Sequence, residues 1–490
     1  MDTKAIDSDR TSIVLWRLRM RYCGVSENYH DAGIAFITEN GDIEFAAESE
    51  RYSKIKHDHY VNDDLWTMTS PDDHMIFYEN LELWKAQSPA DRRSAKIILD
   101  AVDYKDSVDH HVSHAAAGYY TRPWKSQEDT VILTIDGVGQ GQSIGIYDYN
   151  FNLLDKSELP KSVGHFYSTV TEILGLKALH DEYVVMGLAS YGEPTLYEIF
   201  LQIYEESEWD GSRDYWDYLQ KVKKLITSKC RSSRLQDIAA SVQKLAEVKI
   251  LEWATKARKY GSKLVYSGGV AQNIVANTLI NPLFDDVWID IAPSDAGGSL
   301  GCAARIYGLQ NNKDHINFKN PYLGYDIKRE INPKEVVDHL LKYTYCGIAN
   351  GRAEFGPRAL GNRSLIADVR YDVKDTVNEI KRRQNYRPFA PAILAEYADQ
   401  YFDGIMNEYM QYTSKALHDY KSVIHVDGTS RVQLVQKDCS SVIRKILEEY
   451  YERTGIPMLL NTSLNIRGMP MVNDEKDAAE WEEKYKVKVF

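Results

Sequence analysis

A chain of 490 residues exceeds what one hydrophobic core organises, so two or three domains are expected. A formal net charge of −13 gives no general pull toward a phosphate backbone, which disfavours a polynucleotide partner unless a local basic patch supplies one. The five cysteines are scattered and form no Cys-x-x-Cys pair, which fits reduced thiols in a cytoplasmic protein and gives no sign of a zinc finger. No apolar run reaches bilayer length and no secretory signal is recognisable, so no membrane partner is expected.

Residues 1–19 read as a variable extension ahead of the first good strand. From there Tyr22–Ser26, Ala32–Ile37 and Ile43–Glu48 form strand, turn, strand, turn, strand, with Asn40-Gly41 as a tight hairpin signal. The same unit recurs from Val131: a buried strand, the loop Gly137-Val138-Gly139-Gln140-Gly141, then Gln142–Tyr147 and a return strand after Asp148-Tyr149-Asn150. Two copies predict a duplicated α/β fold of the actin and sugar-kinase type, with a nucleotide cleft between the hairpins. Residues 195–235 lack a clean apolar period and read as a helical surface insertion. Leu235–Tyr260 reads as one long amphipathic helix. Strands at Lys263–Tyr266 and Val287–Ile291 each run into a Gly pair, Gly268-Gly269 and Gly297-Gly298, the first letting backbone approach a phosphate or ribose. A polar connection after Gly308 places a boundary near residue 324, giving domains 20–324 and 325–490.

Two constellations carry chemistry. In Asp109-His110-His111-Val112-Ser113-His114, an expected helix start, His110 and His114 stand four residues apart and share a face. Asp136, at a strand end, and Asp295, at a helix entry, add two carboxylates, although Asp295 could serve only as an N-cap. Two imidazoles and two carboxylates suit Fe(II), Zn or Mn, and such a cation can polarise a carbonyl. His30, on the first hairpin, could face the same cleft as a base or be a turn histidine beside Asp31. The second constellation is basic: Arg352, Arg358 and Arg363 in a Gly-punctuated loop, then Lys381-Arg382-Arg383, Arg387 and Arg431, with Leu459–Asn465 bringing hydroxyls and amides. Such a cluster in an acidic protein suggests a small polyanion.

These stretches resemble the O-carbamoyltransferase family of nodulation-factor and antibiotic-modifying enzymes. The motifs extend from His30-Asp31, through Glu50–Asp58, His110/His114, Asp136–Gly139, Met186–Ala189, Ser267–Ala271 and Asp295–Gly297, to Glu354–Ser364, Arg387–Pro391, His425–Thr429 and Leu460–Asn465. The resemblance implies an actin/sugar-kinase-like (ASKHA) amino-terminal domain and a YrdC-like α/β carboxy-terminal domain. It implies carbamoyl-adenylate made from carbamoyl phosphate and ATP, then passed at a metal site to the hydroxyl of a small molecule: a sugar, an antibiotic or a hydroxymethyl nucleotide. By position, His110, His114, Asp136 and Asp295 look like metal ligands, His30 like the general base, and Lys56 like a contact to the adenylate. Gly268, Gly269 and Asn273 look like nucleotide contacts, and Arg358, Arg387, Arg431 and Asn461 like the carbamoyl phosphate and ATP set. Tyr183-Val184 replaces the family's Gly-Lys, and Met469 a family Glu. A homodimer is compatible with this reading. Alternatives are a tRNA threonylcarbamoyl-type enzyme, a carbamoylase of hydroxymethylated DNA bases, and an actin-like assembly module.

Overall fold

The computed structural model describes residues 20–86, 102–206, 208–209 and 215–490; the expected extension, residues 1–19, lies outside them. In the first unit, β1 (Arg21–Ser26), β2 (Gly33–Thr38) and β3 (Ile43–Glu48) are an antiparallel meander, and β4 (His74–Phe77) and β5 (Asp106–Ser107) add parallel to β1. The second unit repeats this with β6 (Thr130–Gly139), β7 (Gln142–Tyr147) and β8 (Leu153–Glu158), followed by β9 (Lys263–Ser267) and β10 (Asp286–Ile289) parallel to β6. The sheet orders, β3-β2-β1-β4-β5 and β8-β7-β6-β9-β10, are identical in topology, so the expected duplication is borne out.

Each unit sends its last strand into a helix, His110–Thr121 after β5 and Asp295–Asn311 after β10. These equivalent helices pack on one another between the sheets, in a core with Ile76, Ala116, Ile132 and Leu300. The approach is close enough that a Cβ on Gly301 would sit 1.9 Å from the Ser113 carbonyl oxygen. No larger residue fits there without parting the helices.

The 195–235 stretch departs from expectation. Its helices Tyr197–Glu206 and Tyr215–Cys230 bury Phe200, Ile203, Tyr204, Val222, Ile226 and Cys230 in the core around β6, β9 and Leu235–Ala257. The segment is part of that layer. Its apolar positions do recur at three- and four-residue intervals, but the tyrosines, tryptophans and charges between them hide the period.

The carboxy-terminal half opens with β11 (Tyr322–Ile327), so the boundary expected near residue 324 falls within a strand. It continues with β12 (Tyr345–Ala349), β13 (Gly351–Glu354), β14 (Arg363–Ala367) and β15 (Ala390–Leu394). Then come the short strands β16 (Phe402–Asp403), β17 (Ser414–Ala416) and β18 (Thr429–Ser430), β19 (Gln433–Val435) and β20 (Met458–Ser463). The main sheet, β12-β14-β20-β15-β19, is mixed, and hydrophobic clusters that include Leu365 and Leu459 flank it. No helix among the described residues is long and apolar enough to cross a membrane.

Candidate active site

One cavity of about 440 Å³ is lined from both halves of the chain. At one end stands the quartet. His110 and His114 project from successive turns of one helix, Asp136 lies on β6 before its Gly-rich end, and Asp295 opens the helix equivalent to that of His110. His110 Nε2 is 2.8 Å from Asp136 Oδ2, and His114 Nε2 is 3.3 Å from both Asp136 Oδ2 and Asp295 Oδ1. One ligand atom from each of the four lies within 4.8 Å of the others. Tetrahedral ligands about 2.1 Å from a shared ion stand roughly 3.4 Å apart, so this spacing suits a single cation. Ser294 takes the N-cap position of the helix that Asp295 enters, and the Asp295 side chain turns to His114.

The quartet demands positive charge. Burial opposes protonation of His114, yet its hydrogen bonds to Asp136 and Asp295 push it up to about 9. Burial likewise opposes the charge on Asp136, but hydrogen bonds from the two histidines hold it well below the usual carboxylate range. Glu79 accepts from His110 Nδ1 at 2.8 Å, which fixes that ring with Nε2 turned toward the quartet. Glu79 went unnoticed in the sequence, where the only signal is an acid two positions beyond β4. His111 faces away, against Thr134 and the Gln142 carbonyl.

The Gly pair serves the quartet. The Gly269 backbone amide donates to Asp136 Oδ1 at 3.2 Å, and Gly268 takes φ 91 with the Ile135 carbonyl oxygen 2.4 Å from where a Cβ would stand. Gly268 thus shapes the loop, while Gly269 and Asn273 line the cavity. Asn273 is also committed locally: its Oδ1 accepts from the Ala276 amide, and its amide pairs with Gln243.

His30, Asp31, Lys56 and His57 form a neighbouring wall. Lys56 Nζ contacts both Glu50 oxygens, at 2.7 and 2.8 Å. His30 is bonded at both ring nitrogens, Nε2 to the Leu179 carbonyl at 2.7 Å and Nδ1 to Asp31 at 3.1 Å. The wall faces Leu179 and His180, and Tyr183 follows.

At the far end the cavity is lined by Arg358, Lys381, Arg383, Arg387, Arg431 and Asn461, among others. Burial lowers Arg358 to about 10. Burial and the neighbouring guanidiniums of Arg358, Arg383 and Arg387 push Arg431 well below its usual value. No carboxylate forms an ion pair with these arginines among the described residues, and Asn461 Oδ1 and Arg431 Nε are buried without a hydrogen-bond partner. Tyr183, which stands where the resemblance leads one to expect the Gly of a Gly-Lys pair, stacks on Arg387 with the guanidinium carbon 4.6 Å from the ring centre.

Three arginines expected in this cluster, Arg352, Arg363 and Arg382, do not line the cavity; Arg382 stands over the Tyr485 ring at 5.6 Å from its centre, and the other two bond backbone carbonyls. Arg363 is fully buried and donates to the carbonyls of Asn350, Gly351, Asn362, Tyr325 and Asn473. Arg352 reaches the Glu44 carbonyl across the join between the halves. Each replaces missing backbone partners, a use of guanidinium that sequence alone cannot separate from anion binding.

Most of the chain is similar to known proteins. Residues 77–304 match the family described as carbamoyltransferase N-terminus, and residues 337–490 match carbamoyltransferase C-terminus. Nodulation protein NolO of Bradyrhizobium diazoefficiens is 31% identical, over 76% of this chain and 75% of its own length. The uncharacterized protein MJ1051 of Methanocaldococcus jannaschii is 31% identical, over 75% of this chain and 78% of its own length. The uncharacterized protein sll1178 of Synechocystis is 28% identical over 93% of both chains. The chain belongs to the carbamoyltransferase family.

Proposed function

We propose that the chain is an ATP-dependent O-carbamoyltransferase that makes carbamoyl-adenylate and passes its carbamoyl group to the hydroxyl of a small molecule, such as a sugar, an antibiotic or a hydroxymethyl nucleotide. One observation carries the reading: a single cavity joins a cation-demanding quartet to a set of buried, uncompensated guanidiniums. Buried cations without counter-charge are expensive, and a phosphate-bearing ligand relieves them. On this reading Arg358, Arg387, Arg431 and Asn461 hold carbamoyl phosphate and then ATP. Carbamoyl phosphate and one water give carbamate and phosphate. The carbamate oxygen then bonds to the α-phosphorus of ATP as pyrophosphate leaves.

His110, His114, Asp136 and Asp295 would hold a divalent ion, Fe(II), Zn or Mn, which supplies Lewis-acid polarisation of the carbamoyl oxygen when bound. Gly269 steadies Asp136 through its amide, and Glu79 steadies His110. Lys56 lines the same cavity, where its ammonium can meet a phosphate of the adenylate. The Gly269 and Asn273 segment is placed to border the nucleotide. The net charge of −13 speaks for a small acceptor over a nucleic acid.

The test is pyrophosphate release by the metal-loaded protein. It should require both ATP and carbamoyl phosphate, and release with ATP alone, or none with both, defeats the proposal.

A further inference from the structure

We propose that His165 is a specificity-determining residue that binds a second hydroxyl of the acceptor, next to the one that is carbamoylated. This rests on the reading above, in which an activated carbamoyl group meets an acceptor hydroxyl beside the quartet.

The helix Val163–Ile173 starts directly on the Gly-rich end of β6. Ser162 Oγ donates to the Gly137 carbonyl at 2.6 Å and accepts from the His165 amide at 3.0 Å. A Cβ on Gly164 would stand 2.9 Å from Gly137 Cα, so a larger residue there would lift the helix off the strand end. This seating brings the His165 ring against Gly137, where a Cβ would lie 3.2 Å from both Cδ2 and Nε2. The imidazole is thereby held one residue along the chain from Asp136, in the wall of the same cavity.

Its two nitrogens are treated differently. Nδ1 lies 3.2 Å from the Tyr215 hydroxyl, and the Tyr215 and Trp216 rings pack against the imidazole with centres 5.4 and 6.0 Å away. Both rings come from the helix Tyr215–Cys230, so the segment that reads as a surface insertion fixes how His165 faces the cavity. Nε2 has no such partner. His165 is 3% exposed, and this nitrogen is buried without a hydrogen bond among the described residues. A buried polar atom left unpaired costs stability, and a ligand that pairs it recovers that cost.

The chemistry of the pair indicates which ligand. Burial lowers His165 to about 4 against the pull of Asp136, so the imidazole is neutral and has one N–H and one lone pair. The Tyr215 hydroxyl can donate to Nδ1 or accept from it. Nε2 then takes the complementary role, donor in the first case lost to acceptor in the second only by turning a hydroxyl hydrogen. A partner that also works in both senses fits best, and that is a hydroxyl. The reacting hydroxyl is committed to the carbamoyl carbon. The group at Nε2 is therefore a second one, and with His165 so near Asp136 a short reach suffices: the carbon adjacent to the reacting one, as in a sugar or polyol.

Two small acceptors separate this from a merely structural role. Glycerol has hydroxyls on adjacent carbons, and 1,3-propanediol does not. With metal, ATP and carbamoyl phosphate, the wild type should favour glycerol by about 30-fold in kcat/KM, mostly through KM. In His165→Leu that preference should shrink to about threefold or less by loss of glycerol transfer. Transfer to 1,3-propanediol and the first-turnover pyrophosphate burst should change by no more than about threefold. His165→Gln, whose amide reaches the place of Nε2, should keep a preference of about tenfold. The inference is overturned if the wild type shows no preference for glycerol, including by carbamoylating neither probe. It is also overturned if His165→Leu keeps the preference or loses both acceptors alike. No pyrophosphate burst in the wild type would refute the adenylate reading beneath it, a separate outcome. Nitrogen-15 NMR of the zinc-loaded wild type needs no variant to fold: saturating glycerol should shift the His165 Nε2 resonance and 1,3-propanediol should not, and equal shifts or none overturn the assignment.

Discussion

The two ends of the cavity meet the burial of charge in opposite ways. At the quartet, imidazoles and carboxylates stand 2.8–3.3 Å apart, and each sign faces the other. At the arginine end, Arg358, Arg383, Arg387 and Arg431 face one another, and Arg431 is lowered by burial and by three like charges. Burying a charge is tolerable when a partner is built in, and otherwise awaits one from solution. The first end is thus assembled by the fold, and the second is completed by a ligand.

The sharpest way to break this contrast is to remove a carboxylate from the compensated end. Asp136→Ala leaves two buried histidines without their shared anion, and carbamoyl transfer should fall by about 10³-fold, read as carbamate ester formed per enzyme. A fall of less than tenfold contradicts the assignment of the quartet to the reaction. At the uncompensated end the expected change has two signs. Arg431→Met should lower pyrophosphate release by about 100-fold, yet raise the Tm of the ligand-free protein by a few degrees, because a buried repulsive charge is gone. Pyrophosphate or ATP should raise the Tm of the wild type and have little effect on the variant. A ligand-free variant less stable than wild type argues that Arg431 has a partner inside the protein.

A smaller test takes the same rule away from the site. Glu27 is 1% exposed, and burial raises its carboxyl to about 7 against a hydrogen bond from the Val61 amide. Its folded pKa lies above its unfolded one, so its contribution is fully present below about 4.5 and is lost as pH rises through about 7. Glu27→Gln should therefore stabilise the protein on the order of 2 kcal/mol at pH 8 and little at pH 4, by urea unfolding at both. Equal effects at the two pH values would show that the carboxyl is compensated after all.

What could be read from the sequence was what local pattern encodes. The paired meanders show in alternation and in Asn40-Gly41, and the His110/His114 pair in helical spacing, because these depend on neighbours within a few residues. Asp136 and Asp295 were visible as acids where strands hand over to loop or helix. Other roles are set by residues distant in the chain. Glu79 becomes the orienting partner of His110 only when β4 lies beside that helix, and His57 meets Asp31, 26 positions away, only when their two loops are brought together. Arg352 and Arg363 look like Arg358 in the sequence, but the strands around them leave carbonyls unpaired and they turn to those instead. Tyr183 departs from the family pattern without opening a gap, since its ring covers the Arg387 guanidinium.

The central claim is that one cavity binds a cation at one end and a phosphate-bearing substrate at the other. Anomalous X-ray diffraction from crystals grown with Fe(II), carbamoyl phosphate and a non-hydrolysable ATP analogue tests it most directly. The expected result is one ion within bonding distance of His110, His114, Asp136 and Asp295, with phosphate oxygens on Arg358, Arg387 and Arg431 in the same cavity. An ion bound away from the quartet, or a nucleotide whose phosphates lie outside the arginine cluster, would contradict it.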